Sequence, residues 1–284
     1  MIQVSDLSFR YPKAPTPTLK NLTFEVEPGQ ILGFVGPSGA GKSTTQRVLT
    51  GQLATADGRV DILGRPVADW GRELYRYIGV AFELPTHFLR LTGRENLEFF
   101  QALYGVSDQR WRSHLEELGL ADASEQRVGS YSKGMMTRLG LVRALLHDPK
   151  VLFLDEPGGG LDPASVAKVE DIIRRERDAG KTIFLTTHDM LSVDRLCDRV
   201  AFLIDGTIAV VDEPGRLKRQ HGRAELTVTF GEADAPSVES FALDGLAENA
   251  RFQEVIKTQA LQTMHTEEAS LSEIFRKLTG ASLV

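Results

Sequence analysis

The chain of 284 residues has a single cysteine, Cys197, and no apolar run approaching the roughly 18–20 residues that cross a bilayer. One cysteine excludes an internal disulfide and suits a reducing compartment. Cys197 sits in no motif and reads as a core thiol. The longest apolar stretches, such as 151–154 and 183–185, are strand-length, so the chain is not expected to span a membrane by itself. Its first residues, MIQVSDLSFRYPK, lack a basic segment followed by an apolar one, and no signal peptide is expected. Positive charge is not in excess either. With 33 Lys and Arg against 39 Asp and Glu, the net charge is −6, which argues against a general nucleic-acid coat. Internal repeats and low-complexity segments are absent.

What is present suffices for one large domain and a smaller appendage, with 42% hydrophobic and 25% charged residues. Ile2, Val4 and Leu7, then Leu22, Phe24 and Val26, alternate as two antiparallel strands around a proline-rich loop over 11–17. Residues 31–35, 151–154 and 182–186 are continuous apolar strands of the kind buried on both faces in parallel sheets. Helices are expected over 42–50 and 164–179, giving a doubly wound α/β core. Between 85 and 147 the pattern turns helical, with candidates at 95–104, 111–119 and 134–146. After about residue 219 the character changes. Residues 225–230 alternate as an edge or hairpin strand, and a final helix over 271–278 opens with a Ser270/Glu273 capping box. Leu271, Ile274, Phe275 and Leu278 form its apolar face.

Gly36, Pro37, Ser38, Gly39, Ala40, Gly41, Lys42 and Ser43 fit G-x-x-x-x-G-K-[ST] directly after a strand and before a helix. Such a loop turns successive N–H groups onto the phosphates of a nucleotide, and the positive end of the following helix adds to that field. Lys42 is expected to reach the β and γ phosphates and the Ser43 hydroxyl to ligate Mg²⁺. Asp155 and Glu156 stand at the C-terminal tip of a buried strand, where open α/β sheets bind ligands. Asp155 is suited to hold Mg²⁺ and Glu156 to polarise the water that attacks the γ phosphate. His188 ends the 182–187 strand in the same way, within hydrogen-bonding reach of that phosphate. His87, His114, His147, His221 and His265 read as structural or solvated.

Together these residues resemble the nucleotide-binding domain of ABC transporters over about residues 1–217. Tyr131, Ser132, Lys133, Gly134 and Met135 look like the family's signature motif, in a form common among drug- and antibiotic-export ATPases. The resemblance implies an α/β phosphate-loop NTPase core with a parallel sheet, an antiparallel β subdomain, a helical signature subdomain over about 85–147, and a small C-terminal α+β accessory domain over 218–284. It implies ATP and Mg²⁺ as ligands and an ATPase that closes as a dimer, expected to be a homodimer. Each ATP would lie between one phosphate loop, with Thr44 beyond it, and the other copy's signature. A phosphate-loop GTPase has no use for that second anion site. Tyr11 matches the aromatic residue that stacks on adenine, Gly160, Leu161, Asp162 and Pro163 the D-loop, and Thr187, His188 and Asp189 the H-loop. Residues 85–97 match the surface that receives a membrane permease carried on a separate chain. The resemblance thus places the protein in the cytoplasm, peripheral on the inner face of the membrane, serving transport and, by its signature and its 269–275 segment, export. A soluble relative acting in translation would carry two such domains, and a DNA-repair relative long coiled coils; neither is in the sequence. A non-hydrolysing regulatory binder would not need both Glu156 and His188.

Two positions depart from the family pattern. Glu83 stands where the Q-loop glutamine is usual, and Lys133 replaces the signature's second glycine. Glu83 can still ligate Mg²⁺ but adds negative charge near the γ phosphate, and Lys133 of the other copy brings a positive charge to the same phosphates. Two readings follow: Lys133 partly offsets Glu83 in the closed dimer, or both are neutral variants. On the first, ATPase rates of Glu83→Gln, Lys133→Gly and the double variant should combine non-additively; strictly additive effects would exclude the coupling.

Overall fold

The computed structural model describes residues 1–54, 57–83, 86–221, 225–232, 235–267 and 269–281. Pro85, the expected start of the helical region, and the last three residues of the expected accessory domain lie outside these. By its own contacts the chain divides into two compact units, which meet in sequence at Glu213 and Pro214.

In the first unit the alternation near the start becomes two antiparallel strands, β1 (Ile2–Phe9) and β2 (Leu19–Val26), with Ile2 opposite Val26, Val4 opposite Phe24 and Leu7 opposite Leu22. β4 (Asp57–Ile62) and β5 (Arg65–Pro66) complete this sheet in the order β2-β1-β4-β5. A second sheet holds β3 (Ile31–Val35), β6 (Ile78–Ala81), β7 (Val151–Asp155), β8 (Thr182–Thr187), β9 (Arg199–Ile204) and β10 (Thr207–Asp212), in the order β10-β9-β3-β8-β7-β6. Its strands run parallel except β10, which turns back on β9. Every residue of β3, β7 and β8 is buried, as their unbroken apolar character requires. The two sheets share one core. Phe24 packs against Phe34 and Phe184, with Phe34 and Phe184 centroids 5.1 Å apart; such ring pairs contribute about 0.5–1.5 kcal/mol each beyond their burial.

Helix α1 (Lys42–Leu49) follows the phosphate loop, and the short α2 (Val67–Trp70) follows β5. The helical region is α3 (Gly93–Tyr104), α4 (Trp111–Glu117) and α5 (Lys133–Leu145). A full capping box between Thr92 and Glu95 starts α3. Buried Asn96 then bonds Phe88 N, Phe88 O and Thr92 O, fixing the loop ahead of the helix. α6 (Pro163–Asp178) starts at an Asp162 N-cap with proline in its first turn, and α7 (Met190–Leu196) starts at Asp189.

The second unit comprises α8 (Pro214–His221), β11 (Glu225–Glu232), β12 (Ala235–Ala242), α9 (Ala250–Thr258), β13 (Leu261–Glu267) and α10 (Leu271–Thr279). β11 pairs with both neighbours, so it is the central strand of a three-stranded sheet and not an edge. Leu226, Val228 and Phe230 on one face of β11 form a small core with Phe241 and Val255. The Ser270/Glu273 box forms as expected, and Leu271, Ile274 and Phe275 are buried, with Leu278 only partly so.

Burial pushes the pKa of His87 down to about 4; its Nε2 sits 2.9 Å from Met136 O and the nearby Arg143 guanidinium disfavours a second charge. Its Nδ1 is buried with no partner among the described residues. Because the folded pKa lies below the unfolded value, the unfolded chain binds the proton first and stability falls as pH drops from about 6.5 towards 4. His87→Gln, which keeps a donor for Met136 O, should shrink the stability difference between pH 7 and pH 5 by about 1–2 kcal/mol in denaturant titrations. An unchanged difference would show that His87 titrates normally.

Candidate active site

Parallel register brings the site together. β3 ends with Val35 opposite Thr187 of β8, and β7 ends with Asp155 opposite Thr186. The loop after β3, the carboxylates ending β7 and the histidine after β8 therefore meet at one edge. They line a cavity of about 490 Å³ bounded by Ser38, Gly39, Gly41, Lys42, Ser43, Thr44, Glu83, Asp155, Glu156 and His188.

The loop has room for no other residue at Gly36, where a Cβ would lie 2.2 Å from the Leu203 carbonyl oxygen of β9. Pro37 and Ala40 close the turn, Ala40 N donating to Pro37 O at 3.2 Å. Lys42 folds back over it, its ammonium donating to Gly36 O at 2.6 Å and Pro37 O at 3.1 Å. Burial lowers the Lys42 pKa, and the negative charges of Glu156, Asp155 and Glu83 oppose that shift.

Asp155 is buried, and burial pushes its carboxyl above the usual range. Thr186, whose hydroxyl donates to Asp155 Oδ1, works against this, while the nearby Glu156 and Glu83 add to it. Ser43 Oγ lies 3.5 Å from Asp155 Oδ2. Among the described residues no cluster of three His, Cys, Asp or Glu side chains could hold a metal alone. The hydroxyl and carboxylate oxygens of Ser43 and Asp155 instead fit Mg²⁺, which typically takes one or two protein ligands together with substrate phosphates.

Glu156 has a left-handed backbone, φ 49°, and its N–H donates to Thr186 O. Its carboxylate is held from two sides: Thr187 Oγ donates to Oε2 at 3.0 Å, and His188 Nδ1 lies 2.7 Å from Oε1. The His188 side chain is 61% exposed against 11% for Glu156, so the imidazole is the part free to swing. Thr187 falls within the H-loop match, whereas Thr186 carries no motif of its own. Their signal is a pair of hydroxyls at the end of an otherwise apolar strand.

Tyr11 does not line the cavity. It adjoins it through Thr44, whose hydroxyl is 3.3 Å from the Tyr11 OH, and it packs edge-on against Phe9. Ser132, Lys133, Gly134 and Met135 lie apart from the cavity within this chain, as does Asp162. Ser132 caps α5 by accepting from Met135 N at 3.2 Å, and the first turn of α5 carries no acidic residue. Its positive end is thus uncompensated and exposed. The D-loop packs beside it: the Lys133 side chain lies over Gly160, and Leu161 Cδ2 would be 3.0 Å from a Cβ at Gly134. Asp162 is engaged in capping α6 through Ser165 N and Oγ.

Residues 19–159 match the ABC transporter family, and residues 225–268 match the fluoroquinolone efflux ABC transporter C-terminal domain. The chain is 45% identical over 284 residues to the fluoroquinolones export ATP-binding protein of Mycobacterium tuberculosis (strain ATCC 25618 / H37Rv), covering 100% of this chain and 94% of that protein. A solved ATP-binding subunit of an ABC transporter superposes with a TM-score of 0.72 at 28% identity, covering 78% of this chain and 93% of the other. A dimeric bacterial ABC transporter cassette gives 0.67 at 26% identity over 75% and 98%. Both the sequence relatives and the shared fold agree with the geometry of the cavity, and the chain belongs to the ABC transporter ATP-binding family, as an ATPase subunit of a transporter.

Proposed function

We propose that this chain is the ATP-driven motor of an exporter whose permease is a separate membrane protein, and that it works as a homodimer on the inner face of the membrane. The observation that carries the reading is the single cavity shared by the phosphate loop, Asp155, Glu156 and His188. Catalysis of ATP + H₂O → ADP + phosphate then rests on placement and charge. Lys42 exchanges its two loop carbonyls for phosphate oxygens. Ser43 and Asp155, with Glu83 beside them, would hold Mg²⁺, which would supply positive charge to the phosphates. Glu156 accepts a proton from the attacking water, and His188 moves from Glu156 to the γ phosphate. Tyr11 offers a ring to the adenine.

Two copies are needed on this reading, because residues 132–135 present a helix start away from the cavity of their own chain. Asp162 and its loop, packed on that helix start, relay between the two sites. The match to the dimeric cassette supports this arrangement. Export, and drugs of the fluoroquinolone type as cargo, are supported by the name of the mycobacterial relative and by the C-terminal match. No helix among the described residues is long and apolar enough to cross a membrane. The docking face is the apolar patch beside α3. Phe88, Leu89 and Phe99 are 46%, 54% and 46% exposed, and the Phe88 and Phe99 rings touch edge to face. Exposed aromatics grouped like this mark interfaces.

Glu156→Gln should bind MgATP normally and lose at least about 10²-fold in turnover, whereas Lys42→Ala should lose nucleotide affinity itself. Near-normal hydrolysis in either variant would remove that residue from its role. Phe88→Glu should abolish co-purification with a polytopic membrane protein while leaving nucleotide affinity intact; retention of the partner would move the docking face elsewhere.

A further inference from the structure

The D-loop helix α6 carries a carboxylate that no step above uses. Glu170 is 5% exposed, and an ion taken that far from water is costly unless it is paired. Its partners are few and directional. Arg195 grips it with both Nε (3.0 Å, to Oε2) and an Nη (2.7 Å, to Oε1), Ser192 Oγ lies 2.8 Å from Oε1, and Arg174 of its own helix lies 3.3 Å from Oε2. Arg195 and Ser192 both belong to α7, the short helix that starts immediately after His188.

From α7 the bonds continue to the catalytic groups. Ser192 Oγ also lies 2.8 Å from Asp189 Oδ2, and Asp189 caps α7 by accepting from Leu191 N. Asp189 N donates to Thr187 Oγ at 3.0 Å, and Thr187 Oγ donates to Glu156 Oε2. Apolar packing does part of this job, since Met190, Val193 and Leu196 of α7 are buried, but it leaves a gap. A cavity of about 210 Å³ lies under the segment, walled by Glu156, His188, Asp189, Glu170 and Ser192. A void on one side forfeits dispersion contacts and leaves room for the segment to shift.

We propose that Glu170 is a positioning residue for ATP hydrolysis: by clamping α7 to α6 across this cavity it sets where His188 stands relative to Glu156 and the phosphate loop. Through α6, which starts at Asp162, the clamp also ties the histidine to the D-loop of the same chain. The inference rests on the roles proposed for Glu156 and His188.

The test uses the full chain with labelled histidine, the His188 resonance being assigned from a His188→Gln sample. In Glu170→Gln the charged grip on Arg195 is lost. The His188 resonance should shift, and kcat should fall about tenfold with KM for MgATP within about twofold, the scale expected when a catalytic group is displaced and binding is not. Glu170→Asp should restore part of both. An unmoved His188 resonance, or kcat and KM failing together with lost stability, would overturn the proposal. If Glu170→Gln does not fold, Ser192→Ala removes the link through Ser192 to Asp189 and Arg195→Lys weakens the two-pronged grip, and both leave the carboxylate paired; an unshifted His188 in both overturns it equally. A wild-type chain that cannot hydrolyse MgATP would instead refute the motor reading, and the resonance shift still decides on the clamp.

Discussion

The pairing of β7, β8 and β3 side by side in one direction is the constraint on which everything else rests. Parallel strands end at a common edge, so residues 36–43, 155–156 and 188, far apart in sequence, arrive together without any long loop to position them. A one-residue slip of any of the three would move Asp155 relative to Ser43 or His188 relative to Glu156, so the site depends on this register. The cost of this arrangement is electrostatic. Three carboxylates, Glu83, Asp155 and Glu156, face one ammonium, and the cavity is left net negative. A cation entering with the polyphosphate would offset part of that charge.

Much of this was legible in the sequence because each signal has a local cause. The loop motif needs its glycines where backbone meets backbone, as at Gly36 against Leu203. The strands β3, β7 and β8 are largely apolar runs, and the capping box before α10 is a four-residue pattern; the box before α3 is as local, yet periodicity alone starts that helix at residue 95. What the sequence did not disclose depends on contacts between distant elements. Nothing near residues 225–230 signals that β11 is central, because β12 and β13 are largely exposed strands, and β13 returns to it only after the intervening helix α9. Thr186 and Thr187 look like ordinary β-formers until β7 brings the carboxylates alongside. Glu170 reads as one charge among many on α6, and only the approach of α7 shows that it faces inward.

The second unit obeys a different economy. Its core is a handful of side chains on one face of a three-stranded sheet, with α9 covering Val228 and Phe230, and α10 anchored to α8 by Lys277 donating to His221 O. A sheet this small leaves both outer strands with unpaired edges, and Val238 on β12 is 61% exposed.

The left-handed backbone at Glu156 has a consequence for the alphabet available there. An L-residue with φ near 49° carries a cost of about 1–2 kcal/mol, modest for unbranched side chains and steep for β-branched ones. Threonine, valine and isoleucine are barred by geometry before chemistry is considered, whereas glycine and asparagine fit the bend with no carboxylate to offer. The turn of the chain thus narrows the side chains that position 156 accepts, independently of the water that the carboxylate addresses.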